Sequence, residues 1–169
     1  FGRKKINYSI EVPINARGGY YAVLFFETSL GKIADQTQGV NISLLGRIGC
    51  LFFIETKDSI KEANIENICV ERETIKADFL NKGNLILIAK GNFYIMDEKG
   101  IVIDRDKICN IYISPGDRTN FSIKLPKKLS PGRYTLIISF DLGEGDILMR
   151  EVDFLKDTTG KIKILEIRK

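Results

Sequence analysis

A stretch of 22 residues occurs twice in this chain without a gap. Residues 6–27 read INYSIEVPINARGGYYAVLFFE and residues 119–140 read TNFSIKLPKKLSPGRYTLIISF. Asn7, Ser9, Ile10, Pro13, Gly19 and Tyr21 recur as Asn120, Ser122, Ile123, Pro126, Gly132 and Tyr134, each 113 positions later. Within the first copy, Tyr8, Ile10 and Val12 alternate with Asn7, Ser9 and Glu11, the period of a β-strand. A proline closes that strand, and Gly-x-Tyr enters the next one. The offset matches one immunoglobulin-like sandwich plus a linker, so the repeat predicts tandem β-domains.

The same period of two runs through the rest of the chain. Tyr20 to Phe26 is a near-continuous apolar strand of the kind covered on both faces. Residues 29–39 read as a polar loop, and Val40, Ile42 and Leu44 open a strand that continues through Leu51 to Ile54. Further strands are expected at 65–70, 74–80, 85–88, 92–96, 101–104, 108–113, 120–125, 133–140 and 147–155. Asp97-Glu98-Lys99-Gly100 reads as a hairpin loop with glycine at a position of positive φ. No segment holds a period of 3.6 over three turns, so helix content is expected to be low. The reading is an all-β chain: one full immunoglobulin-like antiparallel β-sandwich, preceded by the last strands of another. The expected divisions are 1–56 for the incomplete first sandwich, 57–63 for a link, 64–157 for the complete sandwich, and 158–169 for a tail or added edge strand.

The repeated corner has a structural reading. A tyrosine just inside a strand can pack under the corner while its hydroxyl bonds a backbone group upstream, so Tyr21 and Tyr134 are expected as tyrosine corners. The second copy has about 60 residues of strands before it, whereas the first has only residues 1–5. The chain also starts at Phe1 without a methionine, so it is expected to be a piece of a longer or processed protein. An incomplete sandwich leaves an apolar face and unpaired edges. A partner is therefore expected there, either another protein or a second copy of this chain, through an exposed strand edge.

Composition narrows the function classes. The 26 basic and 22 acidic residues interleave to a net charge of +4, and short clusters such as Arg3-Lys4-Lys5 and Lys127-Lys128 do not make the basic face that nucleic acid requires. No apolar run approaches the roughly 20 residues of a membrane helix. There is no histidine, which removes the usual general base and triads, and no CxxC, so no cofactor, metal site or catalytic residue is expected. Asp141, Glu144 and Asp146 cluster at a hairpin and read as a polar turn rather than a calcium site. Of the three cysteines, Cys109 alternates with Ile111 and Ile113 and is expected to be a buried thiol, with a Cys69–Cys109 disulfide as the alternative.

Residues 5–56 resemble the periplasmic pilus chaperones of the PapD-like superfamily, which have two immunoglobulin-like domains. The resemblance lies in INYSIEVP, a strand ending in proline; GGYYAVLFFET, an aromatic strand ending in glutamate; and GVNISLLGRIGCLFF. It implies that Val40, Ile42 and Leu44 pair with a partner's strand by strand addition, with Arg47 at a neighbouring basic position. The family's cleft lysine falls near Gly49 or Cys50 here, and its arginine partner would lie on a strand before Phe1. The expected function is thus a non-enzymatic, periplasmic, cell-surface or secreted module acting by protein–protein contact in a chaperone-like or assembly role. The alternative is a structural spacer or adhesion repeat of a bacterial surface protein.

Overall fold

A computed structural model describes residues 5–27 and 46–169. The chain divides into two compact units, Phe1–Lys57 and Asp58–Lys169. Ten strands are present among the described residues, and no helix is long and apolar enough to cross a membrane.

The first unit contains β1 (Gly19–Glu27) and β2 (Arg47–Glu55). They form an antiparallel two-stranded ribbon, in register from Gly19↔Glu55 to Glu27↔Arg47 without a slip. The strand expected at Tyr8 to Val12 is absent: residues 5–18 carry no strand, and only a turn from Pro13 to Ala16 interrupts them. Alternation alone does not make a strand where no neighbour accepts the backbone groups. The repeat is therefore two strands in its second copy and one strand in its first.

The second unit is a two-layer sandwich. One layer joins β3 (Ala63–Glu71), β4 (Thr74–Asn81) and β7 (Arg118–Lys124) in that order. The other joins β10 (Ile162–Arg168), β9 (Ile147–Lys156), β8 (Gly132–Asp141), β5 (Leu87–Asp97) and β6 (Val102–Ile113). All pairings are antiparallel. This is an immunoglobulin-like arrangement, with β3, β4 and β7 as the A-B-E layer and β9, β8, β5 and β6 as the opposing layer, extended by β10.

Every buried apolar side chain among the described residues belongs to this unit. Phe79 and Phe121 of the three-stranded layer meet Phe140 of the other edge-to-face, with ring centroids 4.9 and 5.1 Å apart. Alternation along β8 puts Tyr134, Leu136, Ile138 and Phe140 inside, and burying each such side chain contributes about 1.5–3 kcal/mol. Asn81 is wholly buried and crosses the core. Its amide donates to the carbonyls of Leu85 (2.8 Å) and Ile113 (3.1 Å), and its Oδ1 accepts from the Gly83 N–H.

Several expectations change at this level. The separate strands 85–88 and 92–96 are one strand, β5, and 101–104 and 108–113 are one strand, β6. Residues 58–62, expected as part of a link, dock on the β4–β5 turn: Lys82 and Gly83 N–H both donate to the Glu62 carbonyl, and Asn84 N–H donates to that of Ile60. Residues 162–168 pair with β9 as the outermost strand of the large layer. Cys109 is exposed rather than buried, because β6 slips against β5 between the pairs Ala89↔Ile111 and Gly91↔Ile108. Two residues, Cys109 and Asn110, then oppose Lys90, and both point out of the core. Cys50, Cys69 and Cys109 are all free thiols, so the Cys69–Cys109 disulfide is not formed.

Candidate functional site

The expected pairing residues Val40, Ile42 and Leu44 lie outside the described residues. Arg47 opens β2, where its Nε bonds Glu27 Oε1 at 3.1 Å and its guanidinium sits 3.9 Å from the centroid of the Phe25 ring. A guanidinium over an aromatic face is attracted by the ring quadrupole, so Arg47 and Glu27 close one end of the ribbon as a paired lid. Gly49 permits this: a Cβ there would come 3.0 Å from the Phe25 ring.

The ribbon itself is apolar on both faces. One face carries Tyr20, Ala22, Leu24 and Phe26 opposite Ile54, Phe52, Cys50 and Ile48; the other carries Tyr21, Val23 and Phe25 opposite Phe53, Leu51 and Gly49. Tyr8 covers part of the first face through an edge-to-face contact with Phe52 at 5.0 Å. On the second face Tyr21, Val23, Phe25, Leu51 and Phe53 all stay about half exposed or more. A two-stranded ribbon with no buried side chain is marginal in water, which makes this face the strongest candidate for a contact surface.

The two tyrosines of the repeat part company here. The Tyr134 hydroxyl donates to the Ser130 carbonyl, and its ring stacks on Phe154 at 5.5 Å, so it is a tyrosine corner. Tyr21 is 58% exposed and belongs to the open ribbon face, so the corner expected there is corrected. The reason is packing: Tyr134 enters a layer that has an opposing layer beneath it, whereas no described layer lies under Tyr21.

A second constellation escapes sequence reading. Asp153 sits on the outer face of the five-stranded layer and is nevertheless 4% exposed. Arg168 donates to both of its oxygens (2.9 and 3.1 Å), Arg133 to Oδ2 (2.8 Å) and Thr135 to Oδ1 (2.8 Å). The Arg168 hydrogen bonds, joined by those of Arg133 and Thr135, hold the Asp153 carboxyl well below the usual carboxylate range, against the opposing pull of burial. The Arg168 guanidinium is pushed up by the same pair and by Glu151. A groove of about 660 Å³ runs beside them, bounded by Met96, Ile137 and the 97–100 turn.

A carboxylate so fully bonded makes a poor base or nucleophile, and the network serves to fasten β10 to β9 and β8. Arg133, Asp153 and Arg168 lie on three strands, so their meeting depends on register and leaves no local spacing to detect. Asp141, Glu144 and Asp146 form a plain turn: the Asp141 carboxylate accepts from Gly143 N–H, and Glu144 pairs with Lys61 at 2.9 Å. Among the described residues no group of three or more His, Cys, Asp or Glu side chains could hold a metal ion.

No family model matches the chain, and no curated protein matches it. Among solved structures, it is similar to the C-terminal domain of Wzt at 19% identity, over 45% of this chain and 50% of that one, with a TM-score of 0.37. The chain thus spans half the length of that structure. An overlap of this size carries no argument about function.

Proposed function

We propose that this chain is a non-enzymatic immunoglobulin-like module that acts by protein–protein contact, with the β1–β2 ribbon as the contacting element. The observation that carries the reading is the ribbon's open face, where Tyr21, Val23, Phe25, Leu51 and Phe53 are exposed together on strands that pair without a slip. Burying such a face yields about 25 cal/mol per Å² of apolar surface, and two regular strand edges beside it suit addition of a partner's strand. A chaperone-like or assembly role fits that geometry. The three exposed thiols bear on the setting: they suit a reducing compartment better than the oxidising periplasm implied by the family resemblance.

Val23 and Leu51 face each other across the ribbon and supply the test. The variants Val23→Asp and Leu51→Asp are expected to lose capture of partner protein from a native extract of the source cells, while the thermal melt of the sandwich stays in place. Undiminished capture by both variants would sink the reading.

A further inference from the structure

We infer that the outer edge of β7 is a second strand-addition site, taking an extended segment of another protein that carries an acidic residue at the end facing Lys124. This site is separate from the ribbon and does not rest on its role.

An immunoglobulin sandwich ordinarily places a fourth strand beside β7. Here the chain passes straight from β6 to β7 through a turn at Ser114–Asp117, where Asp117 N–H donates to the Ser114 carbonyl at 3.1 Å, so among the described residues the three-stranded layer ends at β7. The other edges of the sandwich are obstructed. β3 slips between Glu66 and Cys69, with Asn67 at φ +53°, and β10 slips between Ile164 and Glu166. On β6 the Asp104 and Asp106 carboxylates accept from the Arg105 and Lys107 N–H groups at 2.9 and 2.7 Å, and the strand then bulges at Cys109 and Asn110. Bulges and self-bonded edges keep strange strands away. β7 has neither: it pairs with β4 over seven consecutive residues without a slip.

Beside β7 lies a groove of about 400 Å³, shared with β6. Its floor is Ile108, Ile111 and Phe121, core residues reached from the side, and its rims include Cys109, Asn120 and Ser122. A strand laid along β7 would send alternate side chains onto that floor, which selects apolar residues at every second position. Its outward side chains would lie across from Arg118, Asn120, Ser122 and Lys124; Arg118 is already paired with Glu66 (3.1 Å) and Asp78 (3.4 Å), which leaves Lys124 as the basic end that meets a guest. Opposite charges across strands are favourable and like charges are not, so the guest carries Asp or Glu at the end that meets Lys124. The same rule disfavours a second copy: pairing two β7 strands about Phe121 sets Arg118 against Lys124.

The test uses the full chain and a synthetic peptide, Glu-Val-Thr-Val-Thr-Val-Glu, with Cys109 as the native reporter. Alkylation of each cysteine is followed by mass spectrometry. The peptide is expected to slow modification of Cys109 several-fold, leaving Cys50 and Cys69 unchanged, and a version with proline at both threonines is expected to do nothing. The variant Lys124→Glu is expected to lose protection by this peptide and to gain it from one ending in lysine. Equal protection by the proline peptide, no protection at millimolar peptide, or indifference to Lys124→Glu would each overturn the inference. So would concentration-dependent Cys109 protection without peptide, which would place a second copy on the edge.

Discussion

The Tyr134 hydroxyl donates to the Ser130 carbonyl oxygen at 2.8 Å, tying the start of β8 to the corner that precedes it. Gly132 sits between them at φ +159°, and a Cβ there would lie in ordinary contact with the tyrosine, 3.5–3.7 Å away. The hydrogen bond spans four residues, yet it fixes where the chain turns from one layer to the other.

Tyr134→Phe keeps the stacking on Phe154 and removes only that bond, stranding a carbonyl at the corner. The expected loss is about 1 kcal/mol in urea denaturation. The repeat-related change Tyr21→Phe is expected to shift the same midpoint by less than about 0.5 kcal/mol, because Tyr21 is exposed on the ribbon. Equal effects from the two changes would contradict the asymmetry described here.

Asp153 gives the sandwich a dependence on acid. Its folded-state pKa is depressed, chiefly by Arg168, so its contribution is present above the unfolded carboxylate value of about 3.9 and is lost as pH falls below it. Asp153→Asn is expected to cost about 2 kcal/mol at neutral pH, at the modest end because Arg133 and Arg168 remain partly in solvent. Urea midpoints measured from pH 7 downward are expected to converge for the two proteins below about pH 4. A constant gap down to the acid limit would remove the carboxylate from this role.

Gly91 is the residue on β5 that the β6 bulge closes over. A Cβ there would come 2.5 Å from the Phe140 ring and 2.7 Å from Ile108 Cβ, so Gly91→Ala forces these side chains of the two flanking strands, β8 and β6, to shift within the core. The expected cost is about 1–3 kcal/mol by chemical denaturation. Unchanged stability would mean that the core relaxes around a methyl group at that point.

The sandwich was readable from sequence wherever alternation was unbroken. Leu136, Ile138 and Phe140 alternate cleanly and are buried; the Gly100 turn has φ +76°, as its loop residues require. Reading failed where a strand's environment, not its pattern, decides. Tyr8, Ile10 and Val12 carry the same alternation as Phe121 and Ile123, but only the latter pair has β4 beside it and a layer opposite. Cys109 was misplaced by a one-residue slip that inverts facing, and the Asp153 network depends on three strands coming into register. Tyr20 to Phe26 was legible as an apolar strand, but the expectation that both its faces are covered is corrected: the strand is open, and Tyr21 belongs to its surface rather than to a corner.

The strand order of the large layer has a consequence for how the protein folds. Its pairings β5–β6, β8–β9 and β9–β10 each join neighbours in the chain, and two of the connecting turns close on one aspartate apiece: Asp97 accepts from Lys99 and Ile101 N–H, and Asp157 from Thr159 and Lys161 N–H. These hairpins can form before any distant contact exists. Only β5–β8 joins segments far apart, so the loop-closure entropy of that layer is concentrated in one docking event, in which Tyr94 and Ile95 meet Ile137 and Leu136. Within this layer the costly closure therefore lies at its middle rather than at its edges.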